Sequence, residues 1–216
     1  MCRQIINIKP ARLVLLDTFE YGLYEVENEL RENLASQGVE FDIEIVALLG
    51  SVCNKVQMEN ALQQFDVDTV YHVAAYKQVP MVEKNIVEGV QNNIFGTLIA
   101  AKAADKFKVK NFVLISTDKA VRPTNFMGAT KRFAEQVLQA IAQTGSETRF
   151  SMVRFGNVLG SSGSVVPLFR RQISAGGPVT VTHPEVTRYF MTVQEAAQLV
   201  IQAGSINFGG DCNILA

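Results

Sequence analysis

Short runs of consecutive apolar residues alternate along this chain with longer stretches in which apolar positions recur every three or four residues. Leu13-Val14-Leu15-Leu16 ends in Asp17, and the Glu-rich stretch after it carries Leu23, Val26, Leu30 and Leu34. That is a strand followed by a helix over about 20–37. The pattern repeats as Ile43-Glu44-Ile45-Val46-Ala47-Leu48-Leu49 and a helix over 56–65, and Thr69-Val70-Tyr71-His72-Val73 is a third strand. A helix over about 89–107 leads into Phe112-Val113-Leu114-Ile115-Ser116, and another over about 128–143 leads into Phe150-Ser151-Met152-Val153-Arg154-Phe155. Near-continuous apolar strands joined by helical crossovers specify a parallel sheet covered on both faces. The predicted fold is therefore α/β, a doubly wound parallel sheet of the Rossmann-like kind. Ligands of such folds sit beyond the carboxyl ends of the strands, so those loops are read first.

A dinucleotide-binding fold of this kind opens with a strand and a glycine-rich turn whose N–H groups hold a pyrophosphate at a helix N-terminus. Neither precedes Asp17, and Cys2-Arg3-Gln4-Ile5-Ile6 reads as the back half of the first helix. The expectation is a single catalytic domain over 1–216, trimmed at both ends and lacking the first strand and the glycine-rich turn. About 1–155 form its NAD(P)-binding part. From about 156 onward, the loops around Gly160-Ser161-Ser162-Gly163-Ser164 suit substrate binding, and Gly209 to Ala216 read as the start of a further strand. Asp17 stands where the second strand of the fold delivers a carboxylate to the adenosine ribose hydroxyls; the plain alternative is a helix N-cap. A carboxylate there repels a 2'-phosphate, which favours NAD over NADP.

Composition narrows the partners. With 216 residues, 48% of them hydrophobic, the chain can bury one full core. A formal net charge of -1 gives no electrostatic footprint for nucleic acid or an anionic membrane surface. Cys2, Cys53 and Cys212 are scattered without a Cys-x-x-Cys pair, which argues for reduced thiols in a cytosolic setting. His72 and His183 are far apart, so no metal site is expected. No apolar run approaches the roughly 20 residues that cross a bilayer. The expected location is cytoplasmic, at the inner face of the membrane should an anchor precede residue 1.

The loops past the strands carry the most specific signal. Ser116-Thr117-Asp118-Lys119-Ala120, Pro123-Thr124-Asn125 and Gly128-Ala129-Thr130-Lys131 follow the fourth strand. Together with Val73-Ala74-Ala75-Tyr76-Lys77-Gln78-Val79-Pro80, Asn93-Ile94-Phe95-Gly96-Thr97, Arg154-Phe155-Gly156-Asn157-Val158-Leu159-Gly160 and Thr187-Arg188-Tyr189-Phe190-Met191-Thr192, they run in unbroken order over almost the whole chain. This series resembles the bacterial polysaccharide-biosynthesis UDP-N-acetylglucosamine 4,6-dehydratases, which belong to the extended short-chain dehydrogenase superfamily.

The resemblance implies a reaction in which NAD(P)+ takes hydride from C4 of a UDP-hexosamine, water is eliminated across C5 and C6, and the hydride returns to C6. It implies Asp118 as the acid that assists water departure and Lys119 as the base at C5. A lysine base must be neutral, which means moving its pKa from about 10.4 toward 7 at a cost of roughly 4 to 5 kcal/mol. Burial, the nicotinamide charge and Lys131 are the expected causes. Met127 and Lys131, four apart on one helix face, occupy the positions where most of the superfamily has Tyr and Lys. The resemblance implies that Lys131 binds the nicotinamide ribose. A thioether cannot accept a proton, so the acceptor for the C4 hydroxyl is open among Thr117, Asp118 and a water, with core packing the alternative role of Met127. Large membrane-linked members of the family also carry Met here.

By the same resemblance, Ala74, Ala75 and Ser116 line the cofactor, and Asn93 helps to place Lys131 through a water. Lys77 faces the sugar nucleotide or solvent, Asn157 contacts the nucleotide, and Arg188 holds the UDP diphosphate, a task suited to a planar guanidinium. A homo-oligomer is expected. Two other functions remain open: a UDP-sugar 4-epimerase, and a non-catalytic remnant with weak or absent cofactor affinity.

Overall fold

The computed structural model describes residues 1–36, 43–161, 165–181, 183–185, 187, 189–206 and 212–215. A short helix α1 (Cys2–Ile5) and a 3-10 turn precede strand β1 (Arg12–Asp17), helix α2 (Glu20–Ser36), strand β2 (Glu44–Leu49), helix α3 (Lys55–Gln64) and strand β3 (Thr69–His72). Helices α4 (Val79–Lys84) and α5 (Ile86–Val90) follow, and a π turn (Gln91–Phe95) joins α5 to α6 (Gly96–Lys106). Then come β4 (Asn111–Thr117), a 3-10 turn (Asp118–Ala120), α7 (Phe126–Ala142), β5 (Arg149–Phe155), β6 (Asn157–Val158), α8 (Val165–Ser174), β7 (Phe190–Met191), α9 (Val193–Ser205) and β8 (Cys212–Leu215).

Every strand pairing among the described residues is parallel. The strands order as β3-β4-β5-β8 in one sheet, with β1-β2 and β6-β7 as separate pairs. The doubly wound parallel α/β architecture is therefore present, with β1 and β3 not hydrogen-bonded to each other. Strand alternation sends side chains to two layers. Phe112 and Leu114 of β4 pack with Phe150 and Met152 of β5 under α3, α6 and α7, while Val113 and Val153 point the other way onto Val200 and Ala203 of α9. Ala100, Ala101, Ala103 and Ala104 are all buried, and their small size brings α6 close against the sheet. Leu13, Leu30 and Ile45 form a third core around β1, β2 and α2.

The helix expected over 89–107 starts earlier and contains the π turn, where one extra residue is accommodated per turn. Among the described residues no helix is long and apolar enough to cross a membrane, and no cluster of His, Cys, Asp or Glu could hold a metal ion.

Candidate active site

The tip of β4 delivers Thr117, Asp118 and Lys119 as the strand gives way to a 3-10 turn. Lys119 Nζ donates to Asp118 Oδ1 at 3.0 Å, and Thr117 Oγ1 donates to the same oxygen at 2.9 Å. The Lys119 backbone N–H in turn donates to Thr117 Oγ1 at 3.3 Å. Lys119 is largely covered, with 29% of its side chain exposed, and Asp118 is half-open at 53%. Burial pushes the Asp118 carboxyl up, but the hydrogen bonds from Lys119 and Thr117 outweigh it and hold the group below the usual carboxylate range. The expected uncharged amine is therefore met here as one half of an ion pair.

Two glycines shape the space around this pair. A Cβ on Gly128 would sit 2.3 Å from the Lys119 carbonyl oxygen, so only glycine lets the first turn of α7 dock on the 3-10 turn. A Cβ on Gly156 would lie 3.5 Å from Asp118 Oδ2 and 3.1 Å from the Tyr189 carbonyl oxygen. The missing side chain lets the Tyr189 carbonyl and the Asp118 carboxylate close directly on this glycine. The N-terminus of α7 is fixed by Asn125, whose Oδ1 accepts from Gly128 N–H at 2.8 Å, and by Glu83 of α4, which accepts from Phe126 N–H at 2.6 Å.

Met127 is buried at 3% exposure in that first turn, consistent with the packing role. Lys131, 7% exposed, donates from Nζ to the Ile115 carbonyl at 2.7 Å. Its burial pulls the pKa down to about 8, with the Glu135 charge pulling the other way. The lysine that burial perturbs is thus Lys131, and its ammonium is turned to the β4 backbone.

Asn93 occupies the π turn and is 1% exposed. Its side chain accepts from Tyr76 N–H at 2.8 Å and from Asn92 Nδ2 at 3.2 Å, and donates to Tyr76 O and Thr130 Oγ1, both at 3.0 Å. The amide is fully occupied, so its hold on α7 runs through Thr130, one residue before Lys131. His72 completes this network: Thr97 Oγ1 donates to Asn93 O at 2.7 Å and therefore accepts from His72 Nε2 at 2.9 Å. Burial, then the Lys131 charge, lower the His72 pKa to about 3, so it is a neutral, satisfied core histidine.

The other expected residues take partners of their own. Asp17 is exposed at the tip of β1, and its Oδ1 accepts from Phe19 N–H at 2.9 Å in a turn that precedes α2. Ala74 and Ala75 are half-buried just past β3, and Lys77 is exposed. Asn157 is turned to the Tyr189 carbonyl, with Nδ2 at 3.5 Å. Ser116 departs from expectation: at 3% exposure, its hydroxyl donates inward to Glu135 at 2.6 Å and is not available to a cofactor. Arg188, residues 162–164, 207–211 and 216 lie outside the described residues.

Residues 1–216 match the family described as polysaccharide biosynthesis protein. The chain belongs to that family. It is 48% identical over 215 residues to the capsular polysaccharide biosynthesis protein CapD of Staphylococcus aureus, covering 100% of this chain and 35% of CapD. The chain thus spans about a third of that relative's length. The UDP-glucose 4-epimerase of Rickettsia canadensis (strain McKiel) is 40% identical over 165 residues, 76% of this chain and 48% of the epimerase. Among solved structures, Pen from Bacillus thuringiensis is 37% identical with a TM-score of 0.88, covering 99% of this chain and 65% of Pen.

The sequence reading missed Glu135, Arg154 and Gly156 as parts of the site. Glu135 follows Lys131 by four residues, so helical spacing placed it on the same face. An acidic residue in a helix is normally solvent-facing, which hid its role.

Proposed function

We propose that this chain carries the catalytic centre of a nucleotide-sugar 4,6-dehydratase acting on UDP-N-acetylglucosamine or a related UDP-hexosamine. The observation that supports it most is the Asp118–Lys119 pair, 3.0 Å apart at the carboxyl end of β4, with the Asp118 side chain half-open to solvent. An acid next to an amine suits elimination of water, in which one proton leaves carbon while another goes to the departing hydroxyl.

A nicotinamide dinucleotide would lie across the strand ends, and the residues present fit its two ends. Asp17, exposed at the tip of β1, suits a ribose diol, and the small Ala74 and Ala75 leave room past β3. Bound there, the dinucleotide supplies the hydride acceptor for oxidation at C4 and the donor for return to C6. Thr117, whose hydroxyl accepts from Lys119 N–H and donates to Asp118, is the candidate to hydrogen-bond the C4 hydroxyl and hold it in place.

The ion pair and the reactive form of the pair contain the same protons. Moving one proton from Lys119 Nζ to Asp118 across their 3.0 Å contact yields a neutral amine and a carboxylic acid. A sugar that covers the pair and excludes water favours this neutral form, since two charges lose solvation together. Lys119 then removes the C5 proton while Asp118 protonates the leaving C6 hydroxyl, which returns the pair to the ammonium and carboxylate described above.

The test is incubation of the complete gene product with NAD+ and UDP-N-acetylglucosamine, followed by mass spectrometry of the sugar nucleotide. Loss of one water is the expected result, abolished in Asp118→Asn. The similarity to the Rickettsia protein favours a second reading, C4 epimerisation, for which the product is an isomer of unchanged mass. Absence of both products, with no NAD+ binding, supports the non-catalytic alternative.

A further inference from the structure

Four side chains, those of Ser116, Arg132, Glu135 and Arg154, meet behind the tip of β4. Glu135 of α7 is 0% exposed. Its Oε1 accepts from Ser116 Oγ at 2.6 Å and from Arg154 Nε at 2.8 Å, while Oε2 accepts from Arg154 Nη2 at 2.5 Å and from Arg132 Nη1 at 2.9 Å. Burial would raise the carboxyl, but the hydrogen bonds from Arg154, Ser116 and Arg132 outweigh it and keep the group below the usual carboxylate range. A carboxylate so enclosed is rarely the cheapest way to stabilise a fold, because desolvation offsets much of the attraction. What it does supply is direction: a bidentate guanidinium fork and a short O–H···O− contact fix three elements to one point.

That point lies immediately before the reacting pair. Ser116 and Arg154 face each other in the β4–β5 register, and Ser116 is two residues from Asp118. One turn earlier on α7, Lys131 grips the carbonyl of Ile115 at 2.7 Å. The helix therefore holds β4 at two consecutive residues, and its first turn also abuts the Lys119 carbonyl at Gly128.

We propose that Glu135 is a positioning residue for the Asp118–Lys119 pair, locking Ser116 of β4 and Arg154 of β5 onto α7 so that the strand tip presents both side chains at one place. The inference rests on the dehydratase reading of that pair. Glu135 touches neither substrate nor cofactor; it acts through Ser116. Loosening the clamp leaves the elements formed but blurs where Asp118 and Lys119 stand, and a misplacement on the order of 1 Å costs roughly 100-fold in rate.

The experiment uses the complete gene product with NAD+ and UDP-N-acetylglucosamine, comparing Glu135→Gln, Ser116→Ala and Asp118→Asn. Glu135→Gln is expected to lower kcat for water loss by about 10- to 100-fold with KM changed by less than about 2-fold, since binding groups are untouched. Ser116→Ala leaves no buried charge unpaired and so keeps the fold if Glu135→Gln does not; it is expected to lower kcat several-fold with the same KM. Near-UV circular dichroism and thermal melting report the folded fraction, to which kcat is normalised. Folded Ser116→Ala with wild-type kcat overturns the positioning role, provided Asp118→Asn is inactive. Dehydration that survives in Asp118→Asn overturns instead the reading of the pair.

Discussion

Replacing Lys131 by methionine should change how stability depends on pH, with a sign that the structure dictates. Lys131 is buried and its pKa is pulled from 10.5 to about 8, by burial first and against the opposing charge of Glu135. Between those two values the unfolded chain binds a proton that the folded chain does not, so stability rises with pH across the window. Below about pH 8 the fold carries a buried ammonium whose cost, for a displacement of that size, is ~3 kcal/mol. The cost disappears as the pH climbs toward 10.5. Urea unfolding of wild type and Lys131→Met from pH 7 to 10.5 measures this directly, because every other titrating group cancels in the difference. Wild type should gain on the variant by ~3 kcal/mol across the window, on top of a constant offset from the lost bond to Ile115. Parallel stability curves, or a gain by the variant at high pH, would refute the claim that Lys131 is buried at the expense of its charge.

Two further outcomes follow from the same network. His72, with its pKa lowered from 6.5 to about 3, binds a proton in the unfolded chain first, so stability should be lost as pH falls from 6.5 toward 3, by up to ~5 kcal/mol; His72→Gln should remove that part of the acid sensitivity in equilibrium unfolding. Gly128→Ala places a methyl 2.3 Å from backbone of Lys119, which cannot swing aside, and should cost about 1–3 kcal/mol in denaturant unfolding while lowering the rate of water loss; unchanged stability and rate would contradict the close approach.

The apolar runs of β4 and β5 could be read as parallel strands because both of their faces are buried, leaving no polar alternation to interrupt them. Phe112 and Val113 show why: adjacent residues serve opposite cores. The two-residue strands β6 and β7 carry no pattern of their own and exist only because the segment around Tyr189 returns beside Asn157. The π turn was equally invisible. It forms where Asn93 reaches Tyr76 and Thr130, 17 and 37 residues away, and no local spacing records such a reach.

The same division runs through the site. The residues that the resemblance singled out at the tip of β4 could be named from the order of motifs, since strand ends and helix starts follow from local pattern. Their charge states could not. Lys119 and Asp118 are seen as a pair, Lys131 is the lysine whose charge burial disfavours, and Ser116 faces inward rather than toward a cofactor. The last two depend on partners from other elements, Ile115 of β4 for Lys131 and Glu135 of α7 for Ser116, while the pair joins neighbours in the chain whose side chains local pattern does not orient. Local sequence decides which element a residue joins, because backbone preference and periodicity act over a few residues. Whether a charge such as that of Glu135 can be buried is decided only when distant donors converge on it, because the solvation it loses must be replaced at once by hydrogen bonds from other parts of the chain.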